Sequence, residues 1–141
     1  MSRRLITAIS IVAVGGALAA PAFAAAKPKP FKKTFTYTDP TPDPTYAVSG
    51  GACQGRLPQE APIKVKIPAK GTLKVSIKNT GDWALEIRTS SGTVMSSADG
   101  GTPQTQEGTS AKIKKAGTYL IVPCNIGGAP TASGTYEYKP S

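Results

Sequence analysis

Four lysines define the chemistry most open to this chain. Lys64 and Lys66 alternate with Ile63, Val65 and Ile67, while Lys74 and Lys78 alternate with Leu73, Val75 and Ile77. Successive side chains of a strand point to opposite faces, so these lysines stand opposite the apolar residues. If the two strands are neighbours, about 4.8 Å apart, the four ammoniums form one patch. Such a patch attracts phosphate, carboxylate or sulfate groups, and a net charge of +9 reinforces the attraction. The expected partner is an anionic cell-wall polymer or polysaccharide at the cell surface. The plainer reading of the same lysines is solubility and protection of strand edges. Nucleic acid is not expected as a dedicated partner, because no arginine or aromatic residue interleaves with these lysines to stack bases.

Other chemistries lack their residues. There is no histidine, which removes Ser-His and Cys-His catalysis and the usual zinc sites. The acids are Asp39, Asp43, Glu60, Asp82, Glu86, Asp99, Glu107 and Glu137. A glycosidase holds two such groups at a set separation in a cleft, which so small a chain has little material to build. Gly50-Gly51, Gly100-Gly101 and Gly127-Gly128 lack the strand-to-helix context of a phosphate loop and read as turns. No catalytic, cofactor-binding or metal-binding residues are expected, and the chain is not expected to be an enzyme. Trp83 could stack on a sugar ring, but it shares parity with Leu85 and Ile87 and is assigned to the core. Cys53 and Cys124 are the only cysteines. Without Cys-x-x-Cys or histidine they are expected to form one structural disulfide, worth about 4 kcal/mol for so long a loop.

The elements that must position these side chains are strands. Ile63 to Ile87 holds three runs of strict alternation, broken at Pro68-Ala69-Lys70-Gly71 and at Asn79-Thr80-Gly81-Asp82. Phe31, Phe35 and Tyr37 share one parity against Thr34, Thr36 and Thr38, which predicts an earlier strand. Gly92 suits a hairpin turn, and Ser97 to Ser110 reads as a polar surface loop. Tyr119-Leu120-Ile121-Val122 is apolar throughout, as in a strand buried on both sides. Tyr136 and Tyr138 share a face of a last strand, expected beside an early one. With 15 Gly and 13 Pro in 141 residues, the fold class is all-β. The expected architecture is a two-sheet antiparallel β-sandwich of about eight strands with jelly-roll-like connections.

The N-terminus reads as a cleaved signal helix. Arg3 and Arg4 precede an apolar stretch from Leu5 to Leu18, and Ala22-Phe23-Ala24 is a small-x-small cleavage site. The general secretory route fits better than the twin-arginine one, and no transmembrane segment is expected after cleavage. The expected organisation is a signal peptide over 1–24, a basic and proline-rich arm over 25–44, and the sandwich over 45–141. The protein is expected to be secreted, which agrees with a disulfide.

Pro68-Ala69-Lys70-Gly71-Thr72-Leu73, Gly81-Asp82-Trp83-Ala84-Leu85-Glu86-Ile87, Ala116-Gly117-Thr118-Tyr119-Leu120-Ile121-Val122 and Gly134-Thr135-Tyr136-Glu137-Tyr138 follow one another in that order. This succession resembles the bacterial pre-peptidase C-terminal domain, a jelly-roll sandwich appended to exported enzymes, over about Ile63 to Lys139. The resemblance implies a non-catalytic accessory or binding module. The second Asp of that family's Asp-x-Asp-Leu-Tyr strand is Ala84 here, which weakens any calcium site it would carry over. A structural or envelope-associated protein with no specific ligand ranks second among the expected functions, and a small hydrolase third.

Overall fold

A computed structural model describes residues 27–40, 42, 53, 61–78, 80–99 and 106–141. The expected signal segment over 1–24 lies outside these residues, as does most of the stretch between Asp43 and Glu60. Eight strands account for most of the described chain: β1 (Phe31–Thr38), β2 (Ile63–Ile67), β3 (Gly71–Lys78), β4 (Gly81–Thr89), β5 (Val94–Ala98), β6 (Gln106–Ile113), β7 (Gly117–Gly128) and β8 (Thr131–Pro140). They form two four-stranded antiparallel sheets, ordered β1-β8-β3-β6 and β2-β7-β4-β5. The first strand pairs with the last, the second with the seventh, the third with the sixth and the fourth with the fifth. One long antiparallel ribbon, folded at the β4–β5 hairpin and wound over itself, gives this order. That is a jelly roll.

The hydrophobic effect explains the winding, because each strand has an apolar parity that must meet another sheet. Leu73, Val75 and Ile77 of β3 and Tyr136 and Tyr138 of β8 face Val65, Ile67, Trp83, Leu85, Ile87 and Ile121 across one apolar core. Phe31 and Phe35 of β1 pack on the β8 tyrosines, with ring centroids 5.3 to 6.2 Å apart. At Gly134 a Cβ would run into the Phe35 ring, so glycine there lets the aromatic side chain lie across β8. Gly81 and Gly128 are register partners, both at positive φ (135° and 130°), and their backbones touch. A side chain at either would be strained by φ and blocked by the opposite chain.

Three expectations need correcting. Strand β1 falls inside the expected 25–44 arm, yet it is hydrogen-bonded along its length to β8 and so is part of the sandwich. The Ser97–Ser110 loop is shorter than expected. Ser97 and Ala98 belong to β5, and Gln106 to Ser110 belong to β6, paired with β3 despite their polar composition. Most consequentially, β2 and β3 are not neighbours. The chain crosses from one sheet to the other between them, and crosses back before β4.

β4 and β7 lie at the middle of their sheet and are buried on both faces. On the outer face of β4, Ala84 packs with Val122, Cys124, Ile126 and Cys53 in a second, smaller cluster. Cys53 and Cys124 form the disulfide, with Cα atoms 5.7 Å apart. Glu86 and Arg88 occupy the same outer parity as a buried ion pair, and the Cys53 amide donates to Glu86 Oε1 at 2.8 Å. The side of β4 that alternation alone assigns to solvent is therefore covered. Among the described residues no helix is long and apolar enough to cross a membrane.

Candidate anion-binding face

The outer face of the β1-β8-β3-β6 sheet is built by register. Where β3 turns Leu73, Val75 and Ile77 inward, it turns Thr72, Lys74, Ser76 and Lys78 outward. Each outward residue has partners on the flanking strands. Thr36, Ser133, Lys78 and Gln106 make one row across the sheet, and Thr34, Thr135, Ser76 and Gly108 the next. Lys32, Glu137, Lys74 and Ser110 make a third row, and Lys139, Thr72 and Lys112 a fourth. The face carries five lysines, Lys32, Lys74, Lys78, Lys112 and Lys139, against the single carboxylate of Glu137. Glu137 Oε1 pairs with Lys139 Nζ at 3.2 Å, and the lysine side chain stays 71% exposed. An exposed pair of this kind is weak, so the lysine remains able to meet an anion.

No large apolar or aromatic side chain projects outward from these rows. Ser76 and Thr135 share a hydrogen bond at 3.1 Å across β3 and β8. Three adjoining depressions open on this face. The largest, of about 590 Å³, is lined by Thr34, Phe35, Thr36, Ser76, Lys78, Ser133, Gly134 and Thr135. The other two lie around Lys74 and Glu137, with Lys32 on one side and Lys139 on the other. The arrangement offers point charges and hydroxyls on an open, shallow surface. It suits reversible contact with an extended charged chain, not enclosure of a small molecule.

The four lysines singled out by alternation do not come together. All four are exposed, but only Lys74 and Lys78 lie on this face. Lys64 and Lys66 stand on β2, an edge strand of the opposite sheet, against Leu120 and Thr118 of β7. Sheet switching separates the pairs, so no patch joins them. Lysine on an edge strand is a common device against edge-to-edge pairing. Lys32, Lys112 and Lys139 take their place on the β1-β8-β3-β6 face. Their signal was present in parity: Lys32 flanks inward Phe31, Lys139 flanks inward Tyr138, and Lys112 lies between inward Ala111 and Ile113.

Trp83 lies in the core, 1% exposed, with its indole N–H donating to the Ala129 carbonyl at 3.2 Å. Asp82 and Asp99 approach each other near one end of β4. Desolvation, and after it the Asp99 charge, raise the Asp82 pKa above the usual carboxylate range. Among the described residues no three His, Cys, Asp or Glu side chains gather as metal ligands. Asp39, just past β1, joins the two sheets. Its Oδ2 accepts the Asn125 amide at 3.1 Å, and its carbonyl accepts Asn125 Nδ2 at 3.0 Å. Asp39 Oδ1 and Asn125 Oδ1 are both buried without a hydrogen-bond partner.

The fold and face together define a jelly-roll sandwich with a lysine- and hydroxyl-bearing outer sheet. No family model matches the chain, and no curated protein matches it.

Proposed function

We propose that this chain is an exported, non-catalytic binding or accessory module that holds an anionic polymer on the outer face of its β1-β8-β3-β6 sheet. The observation that carries the reading is five lysines on one face of one sheet against a single carboxylate. Clustered like charges raise the local concentration of a polyanion through summed potential, which one lysine cannot do. The sequence supports the non-catalytic part, since histidine, the side chain most used for acid–base work near neutral pH, is missing. Export is supported by the leader-like N-terminus and by the disulfide. The accessory role is supported by the resemblance to the pre-peptidase C-terminal domain, whose sandwich is of the same jelly-roll type.

The test is binding of purified protein to a sulfated or carboxylated polysaccharide at two salt concentrations. Each neutralised anionic site releases a counterion, so affinity should fall as salt rises. Lys32→Gln, Lys74→Gln and Lys78→Gln together should weaken binding at least tenfold while leaving the denaturation midpoint in place. Lys64→Gln with Lys66→Gln should leave affinity unchanged. No binding at any salt would leave the lysines as a solubility device and favour a structural protein without a ligand.

A further inference from the structure

We infer that the polymer seated on this face is a carboxylated polysaccharide, with its sugar hydroxyls over the strip Thr34, Thr36, Ser76, Ser133 and Thr135 and its carboxylates on the flanking lysines. The inference rests on the reading of the face as an anion-binding surface and narrows it to one ligand class.

The order of the rows carries the argument. Lys78 stands in the first row and Lys32 and Lys74 in the third, while the row between them holds Thr34, Thr135 and Ser76 and no charge. Lys74 and Lys78 are four residues apart on one strand, roughly 13 Å along the sheet. A polymer charged at every short repeat, such as polyphosphate, would lay much of its charge over neutral hydroxyls. A polymer with one carboxylate per sugar, and hydroxyls between, matches the spacing better. The strip also offers hydroxyls at about 4.8 Å across strands, on the order of a sugar ring; Ser76 and Thr135 spend one donor on each other, and the rest both donate and accept. A sugar hydroxyl uses both capacities, whereas a phosphate oxygen can only accept. The depression that follows this strip shows that ligand-sized space is open directly above it. A nucleic acid would need aromatic or arginine side chains to stack its bases. The aromatic residues of this sheet, Phe31, Phe35, Tyr37, Tyr136 and Tyr138, all carry the inward parity, with only Phe35 reaching the rim of the largest depression, and the one arginine among the described residues, Arg88, is buried in the other sheet.

The experiment compares polygalacturonate with inorganic polyphosphate on the same full chain, by calorimetry or surface resonance. Ser76→Ala with Thr135→Val removes the hydroxyl pair at the centre of the strip and leaves every lysine. Polygalacturonate affinity should fall about tenfold and polyphosphate affinity should stay within about twofold. Lys74→Gln with Lys78→Gln should weaken both polymers. Thr34→Val with Thr36→Val, on the edge strand, repeats the test if the central pair disturbs folding, as a denaturation curve would show. Equal losses for both polymers, or no loss for polygalacturonate, would overturn the carbohydrate assignment while leaving an anion-binding face. Failure of the unsubstituted protein to bind either polymer would overturn the face itself.

Discussion

The junction of Asp39 with Asn125 shows what one side chain contributes at the seam between the sheets. The carboxylate satisfies the buried Asn125 amide, yet Asp39 Oδ1 and Asn125 Oδ1 are both acceptors without a donor. Asp39→Asn keeps an acceptor for the Asn125 amide, removes a buried charge and supplies a donor in the same place. It should hold or raise the denaturation midpoint. Asp39→Ala strands the Asn125 amide instead and should be less stable than Asp39→Asn by about 1–3 kcal/mol. Urea unfolding of the two variants decides this, and equal stabilities would show that the junction contributes nothing. Asp82 makes a separate prediction. Its raised pKa means that the fold favours the protonated carboxyl, mainly through desolvation and secondarily through Asp99. The stability it adds is present below the unfolded carboxylate pKa and is lost as pH rises through its raised folded value. An NMR carboxyl titration should find Asp82 above the ordinary range, and Asp99→Asn should lower it only in part.

At the level of elements, β4 explains why alternation is an incomplete guide. Trp83, Leu85 and Ile87 were legible as an inward face, and that is where they lie. Glu86 and Arg88 were not legible as buried, because their cover comes from Cys53, more than thirty residues earlier in the chain, and period two says nothing of what lies beyond a sheet. An ion pair in such a place depends on both partners. Arg88→Met should cost about 3–5 kcal/mol by leaving the Glu86 charge without its guanidinium. Adding Glu86→Gln removes that charge and should recover part of the loss, which two unfolding curves can test. Losses that simply add would separate the two residues energetically. Reduction of Cys53–Cys124 should cost about 2–5 kcal/mol, since the bond ties the same cover to β7. β6 was hidden for the opposite reason: Gln106-Glu107-Gly108-Thr109-Ser110 has a loop's composition, and only its pairing with β3 makes it a strand.

Across the whole molecule, the class and the sandwich were readable from strand periods and turn residues, and the disulfide from the cysteine count. The last strand does lie beside early ones, as expected, but most neighbour relations were not readable. A short turn such as Pro68-Ala69-Lys70 serves a hairpin and a crossing between sheets equally well, and here it crosses. That single choice separates Lys64 and Lys66 from Lys74 and Lys78 and places Lys32, Lys112 and Lys139 with the latter pair. It also turns a four-lysine patch on paper into a five-lysine face backed by a hydroxyl strip. The binding face is therefore defined by where these lysines lie. The most direct test is an amide NMR titration with a short carboxylated oligosaccharide at low salt. The shifts should concentrate on β1, β8, β3 and β6, at Lys32, Thr34, Lys74, Ser76, Lys78, Thr135 and Lys139, with β2 silent at Lys64 and Lys66. Shifts centred on β2, or spread evenly over the lysines of both sheets, would contradict it.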